Sequence, residues 1–115
     1  MKRFMEVTYN KYKNIKKKNR VEFWINNFDY EDGNDYLAKI FCEKFGMISE
    51  EKVDYIYFSV LKLHLNNITY ELMWHEDIGN MIYAIEQDKN VVDMLEQRLK
   101  VVLNILNEKL RKNLI

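Results

Sequence analysis

The stretch that most constrains the fold is Leu65-Asn66-Asn67-Ile68, two asparagines set between two apolar runs. Asparagine tolerates the positive φ that a two-residue type I′ hairpin turn demands. With that turn, Leu65 opposes Ile68, Leu63 opposes Tyr70 and Leu61 opposes Leu72, while Lys62 meets Glu71 on the other face. Apolar positions and an opposite-charge pair both fall into register, the arrangement that stabilises a cross-strand ladder. Val53, Ile56, Tyr57, Val60 and Leu61 also fit a helical stripe, but the hairpin pairing decides for a strand over 55–65 followed by one over 68–75.

A second turn follows. Glu76-Asp77-Ile78-Gly79 reads as a four-residue loop whose glycine takes positive φ, which pairs His75 with Asn80, Trp74 with Met81, Leu72 with Tyr83 and Tyr70 with Ile85. The third strand then spans 80–87. One face collects Leu61, Leu63, Leu65, Ile68, Tyr70, Leu72, Trp74, Met81, Tyr83 and Ile85, and an apolar face of that size needs a helical layer over it. The other face carries Phe58, Val60, Met73, Ile82 and Ala84 beside charges.

The cover comes from a long helix over 91–112, where Val92, Leu95, Leu99, Val102, Leu106 and Leu110 recur at helical spacing. A second helix spans 35–45: Asn34 serves as N-cap, Asp35 sits in the first turn, Leu37, Ile40, Phe41 and Phe45 form the stripe, and Gly46 ends it in left-handed conformation. Met5, Tyr9, Tyr12 and Ile15 share a helical spacing, so 3–17 reads as a helix, and the apolar run Val21–Phe28 leans the same way. The expected architecture is a single α+β domain over 1–115: N-terminal helices, a three-stranded antiparallel β-meander and a long C-terminal helix packed on the sheet. At 115 residues there is no room for two domains.

The formal charge is zero, but it is segregated. Eight basic residues against Glu6 give residues 1–20 a charge of +7, and nine acids against three lysines give 21–58 a charge of −6. The segments 59–88 and 89–115 carry −4 and +3. Asp29, Glu31, Asp32, Asp35, Glu50, Glu51 and Asp54, with the aromatics Trp24, Tyr30, Tyr36 and Tyr55, make a candidate contact surface for a basic protein. Charge complementarity speeds association, and aromatic anchors hold it. The basic run Lys11–Arg20, with Tyr9 and Tyr12, is a candidate for nucleic acid, but a pI of 6.7 and an acidic middle weigh against it.

Chemistry is sparse. The lone Cys42 has no basic neighbour and reads as a small core residue; with one cysteine no intrachain disulfide forms, in keeping with a reducing compartment. His64 and His75 face the same side of the sheet too far apart to share a metal. Asp29–Asp35 has the composition of a calcium loop but lacks its twelve-residue pattern. No phosphate loop or nucleophile elbow is present, no stretch approaches a membrane span, and Met1–Glu6 lacks the apolar run of a signal peptide. The expectation is a cytoplasmic, non-enzymatic binding protein without cofactor or metal.

Over its whole length the chain resembles the small immunity proteins of bacterial contact-dependent inhibition and polymorphic-toxin systems. The resemblance rests on size, an Asn/Lys/Ile/Tyr bias typical of AT-rich genes, the lack of catalytic motifs, and the meander Tyr55–Gln87 with its Trp74-His75-Glu76-Asp77-Ile78-Gly79-Asn80 turn. It implies a cytosolic protein that binds one cognate toxin domain and blocks it. Such toxins are often nucleases with basic clefts, which an acidic face would occlude. The competing expectations are another small bacterial or phage interaction or regulatory module and, behind it, a nucleic-acid-binding protein.

Overall fold

A computed structural model of the chain describes residues 5–113. Residues 3 and 4 of the helix expected over 3–17 therefore lie outside the described residues. The remainder of that segment is not helical. Strand β1 runs Thr8–Asn14, a single 3-10 turn occupies Ile15–Lys17, and strand β2 runs Arg20–Asn26. The two strands pair antiparallel from Thr8↔Asn26 to Asn14↔Arg20. The helical spacing of Met5, Tyr9, Tyr12 and Ile15 is thus incidental. Most β1 side chains are solvent-exposed, so the strand carries little apolar alternation to announce itself. In β2 the alternation exists, with Phe23 and Ile25 inward, but Trp24 interrupts it with an apolar side chain on the opposite face.

Helix α1 (Gly33–Phe45) follows, then the short strands β3 (Ile48–Ser49) and β4 (Val53–Asp54), then β5 (Phe58–Leu65), β6 (Ile68–His75), β7 (Gly79–Ala84) and helix α2 (Lys89–Arg111). The sheet has seven strands, not three. Its order is β1-β2-β7-β6-β5-β3, with β4 also on β5, and every pairing is antiparallel. The α+β class holds; the N-terminal helices and the free-standing three-stranded meander do not. The difference lies in the β1–β2 hairpin, which inserts beside β7 through Phe23↔Ile82 and Trp24↔Met81.

The β5–β6 register places Leu65 opposite Ile68 and Lys62 opposite Glu71, with Asn66 and Asn67 both at positive φ. The β6–β7 register differs from expectation by one residue. His75 pairs with Gly79, so Trp74 meets Asn80 and Leu72 meets Ile82. Gly79 still takes positive φ, but from the first position of β7 rather than from inside the loop. Because side chains alternate along a strand, a one-residue slip exchanges its faces. Ile82 and Ala84 therefore enter the core, while Met81 and Tyr83 turn to the other side and Ile85 is exposed.

Both helices pack on one face of the sheet, over Phe23, Ile25, Leu61, Leu63, Tyr70, Leu72, Ile82 and Ala84. From α1 come Leu37, Ile40 and Phe41; from α2, Val92, Leu95, Leu99, Val102 and Leu106. Gly46 at φ 73° ends α1 as expected, its N–H bonded to the Cys42 carbonyl. The start differs. Asp32, not Asn34, is the residue before the helix, and Asn34 lies buried inside the first turn, donating to Ser59 Oγ at 3.1 Å. Asn107 on α2 clips the chain ahead of β1, its amide bonded to both the N–H (2.8 Å) and the carbonyl (3.0 Å) of Val7.

The opposite sheet face carries Tyr12, Glu22, Trp24, Val60, Glu71, Met73, Met81 and Tyr83, and neither helix covers it. Glu22 is 0% exposed there. Its carboxylate accepts from Arg20 Nη2 (2.6 Å) and Nε (2.9 Å), Asn14 Nδ2 (3.0 Å) and Trp24 Nε1 (2.9 Å). The Arg20 guanidinium lies 3.6 Å from the centre of the Tyr83 ring. A carboxylate removed from water is tolerable when donors satisfy its lone pairs; these bonds brace the hairpin, and Arg20 over Tyr83 ties it to β7.

Two predictions follow from this packing. Leu72→Ala should cost about 2–5 kcal/mol in chemical denaturation, because Leu72 is fully buried between the helices and the sheet. The second concerns Tyr9, whose hydroxyl donates to Glu96 of α2 at 2.6 Å beside Lys11 Nζ at 3.3 Å. That bond first, then Lys11, holds the Glu96 carboxyl below its ordinary value against the opposing effect of burial; burial and the same carboxylate push the Tyr9 phenol up to about 12. The Glu96 contribution is present above the ordinary glutamate value and fades as pH falls through the depressed one. The Tyr9 contribution is present below pH 10 and is lost as pH rises through about 12. Tyr9→Phe should move the Glu96 titration upward toward 4.5 in carboxyl-detected NMR.

Candidate functional site

Three connections and the start of α1 gather at one end of the sheet. The loop from β2 to α1 contains Phe28–Asp32, the segment around β4 reaches Tyr57, the β6–β7 turn is Glu76–Ile78, and α1 begins between them. Asn80 holds the first of these. Buried at the start of β7, it donates to the carbonyls of Phe28 (2.8 Å) and Tyr30 (3.1 Å). Trp74 Nε1 adds a bond to the Asp29 carbonyl at 3.1 Å. Gly33 passes so close to the Asn80 amide that a Cβ there would overlap it. At Gly79, φ 90°, a Cβ would stand 2.5 Å from the Asp29 carboxylate. The Glu76 N–H donates to the Tyr57 carbonyl (2.9 Å), joining the β6–β7 turn to the β4–β5 connection.

Six of the residues expected at the contact surface meet here: Asp29, Tyr30, Glu31, Asp32, Asp35 and Asp54. All are exposed. Glu31, Asp32 and Asp54 line one shallow hollow with Lys52. Lys52 bridges Asp35 at 2.7 Å and reaches Asn34 Oδ1 at 3.3 Å, so Asp35 is the acid of this group that already has a cationic partner. Acids around the first turn of α1 are also favoured by the partial positive charge of its unpaired N–H groups.

Of the other five, Tyr36 in the first turn of α1 and Tyr55 ahead of β5 are also exposed at this end, and three are elsewhere. Trp24 lies mid-strand on the uncovered sheet face, its indole N–H spent on Glu22 and its ring packed on Tyr12 with centroids 4.7 Å apart. Glu50 bonds His64 Nε2 at the sheet edge, and Glu51 stands exposed on the same edge between β3 and β4. Their distance from Asp54 arises because the chain between β3 and β4 runs along β5 rather than folding back on itself.

Sequence reasoning missed part of the surface. Glu76 and Asp77 add charge, and Tyr57, Ile56 and Ile78 add exposed apolar area; Ile56 is 87% exposed. Tyr55 stacks on Phe58 at 4.5 Å, and Phe58 in turn stacks on His75. Tyr55 was expected here; the signal for Ile56 and Tyr57 was available beside it, since the succession Tyr55-Ile56-Tyr57 reads as strand interior only if β5 begins before Phe58.

Groups with reactive potential are spent elsewhere. Burial pushes the Cys42 thiol up, with Glu43 adding to the effect and a Ser49 hydrogen bond opposing it, so the protonated, weakly nucleophilic form prevails. His64 sits between Thr69 Oγ1 (3.1 Å) and Glu50. A hydroxyl–imidazole–carboxylate series also needs donors placed for a developing oxyanion and shelter from water; this one lies at an open edge, and its contacts pin β3 to β5. Among the described residues no group of three or more His, Cys, Asp or Glu side chains is placed to hold a metal ion. Among the described residues no helix is long and apolar enough to cross a membrane.

The Asn80 clamp yields a prediction. Asn80→Ala releases the buried Phe28 carbonyl and one of the two bonds to the partly buried Tyr30 carbonyl, and should cost about 1–3 kcal/mol, with faster amide hydrogen exchange concentrated over residues 28–33. Unchanged protection there would dissociate Asn80 from the shape of the acidic end.

No family model matches the chain, and neither a curated protein nor a solved structure matches it.

Proposed function

We propose that this protein is a binding module of the immunity type, which docks its acidic, aromatic end on the basic surface of a cognate toxin domain, a nuclease, and masks it. The observation that carries the reading is the convergence of Glu31, Asp32 and Asp54 in one hollow, beside exposed Tyr30, Tyr55, Ile56 and Tyr57. Carboxylates without cationic partners favour a positively charged partner and raise the rate of encounter. Exposed aromatic and branched side chains at the centre of such a field provide the buried area that holds a complex. The Asn80, Trp74 and Gly33 contacts keep the surface in one shape, so little ordering entropy is lost on binding.

The direct test asks whether the gene immediately upstream encodes a toxin domain and co-expresses that domain with this chain in a bacterial host. The wild-type chain should restore growth. A Glu31→Lys/Asp32→Lys/Asp54→Lys variant should fold normally, associate at least tenfold more slowly at low salt and protect poorly. Protection equal to wild type by the reversed variant refutes the acidic-end reading. Absence of any protection by the wild-type chain refutes the immunity reading.

A further inference from the structure

We infer that the β1–β2 hairpin is a second docking surface, independent of the acidic end, that binds the phosphate backbone of duplex nucleic acid. At its tip stand Lys13, Lys16, Lys17 and Lys18, all exposed. Among the described residues none of the four side chains has a hydrogen bond or an ion pair; the neighbouring cations are engaged, Lys11 with Glu96 and Arg20 with Glu22. Ile15, 80% exposed, occupies the 3-10 turn between them. Four ammonium groups within six residues repel one another, and an array of phosphates relieves that repulsion.

The backbone supports the same conclusion. Lys18 adopts φ 56° and ψ 41°, and Asn19 follows at φ 62°. Left-handed conformation is uncommon for a lysine and easy for glycine or asparagine. The hairpin thus retains a charged side chain where a cheaper residue would make the same turn, and strained positions of this kind gather at functional sites. The tip is held firmly from behind, by the Glu22 bonds to Asn14 and Arg20 and by the Val21 N–H bonded to Gln87 Oε1 at 2.8 Å.

The objection raised by the balanced composition is answered by distance. The acidic loop follows the far end of β2, and six residue steps along the strand take Arg20 to Asn26, about 20 Å. That exceeds twice the screening length of about 8 Å at physiological salt. Glu86 and Asp88 are nearer, flanking the Gln87 that bonds Val21 behind the tip, but these two carboxylates are outnumbered by the four lysines. A two-stranded ribbon also fits the major groove of a duplex, where flanking lysines reach the phosphates.

The test is fluorescence anisotropy of the full chain with a labelled 20-base-pair duplex from 50 to 300 mM NaCl. Binding should weaken with a log–log slope of about −3 to −4, at about 0.9 per phosphate neutralised. Lys13→Gln/Lys16→Gln/Lys17→Gln/Lys18→Asn should bind at least tenfold more weakly at 50 mM NaCl with an unchanged melting curve, the asparagine tolerating the left-handed turn. The milder Lys16→Gln/Lys17→Gln variant should lower the slope by about 2. The Glu31→Lys/Asp32→Lys/Asp54→Lys variant should bind no more weakly than wild type, which separates this inference from the acidic-end reading. No duplex binding at 50 mM NaCl, or equal binding by wild type and the quadruple variant, overturns it. Binding to phosphatidylserine vesicles but not to duplex overturns it in favour of a membrane surface.

Discussion

The antiparallel contact between β2 and β7 is the constraint from which the rest of the molecule follows. It joins residues about sixty positions apart, Phe23 to Ile82 and Trp24 to Met81, and turns a hairpin and a meander into one sheet. It also makes β7 an interior strand, and all six of its residues are buried. Closing so long a loop costs entropy before any contact is made. The compensation is two-sided. Phe23 and Ile82 join the helix-covered core, while on the other face Arg20 lies over Tyr83 and Glu22 gathers its donors. Tyr83 completes that face by donating its hydroxyl to Glu71 of β6, which carries the ties one strand further.

The same contact distributes the charge. Because β2 runs antiparallel to β7, the residues that follow β2 arrive beside the start of β7, where Asn80 receives them. The residues that precede β2 are carried to the other end. A chain with no net charge thereby presents carboxylates at one end and uncompensated lysines at the other. The lysines suit a polyanion and the carboxylates a basic protein, and the rigid sheet between them keeps the two fields apart.

How much of this was legible follows from how local each signal is. The β5–β6 hairpin could be read because its turn chemistry, apolar alternation and the Lys62–Glu71 pair lie within twenty residues and agree. Helix α2 could be read because its buried stripe repeats through about four turns. The β6–β7 turn could be located but not its register: a glycine able to take positive φ fits either the last loop position or the first strand position, and β7 has apolar residues on both faces. Strand β1 could not be read, since an edge strand exposed on most of its length has no alternation. At the candidate site, the run Asp29–Asp35 announced itself by composition, the structure brings the expected Asp54 to it, and Glu76 and Asp77 are its additions. Trp24 and Glu50 fell away because Glu22 and His64 engage them first, and Glu51 because it stands on the sheet edge between β3 and β4.

The sequence by itself determined the α+β class, the two helices, the first hairpin with its register and the segregation of charge, since each depends on residues close together along the chain. Only the tertiary structure decided that the N-terminal segment is a hairpin, that it enters the sheet beside β7, which face β7 turns inward, and which acids share a surface. These depend on pairings between distant segments, where burial on both faces of a central strand outweighs the weak local preference of an exposed one.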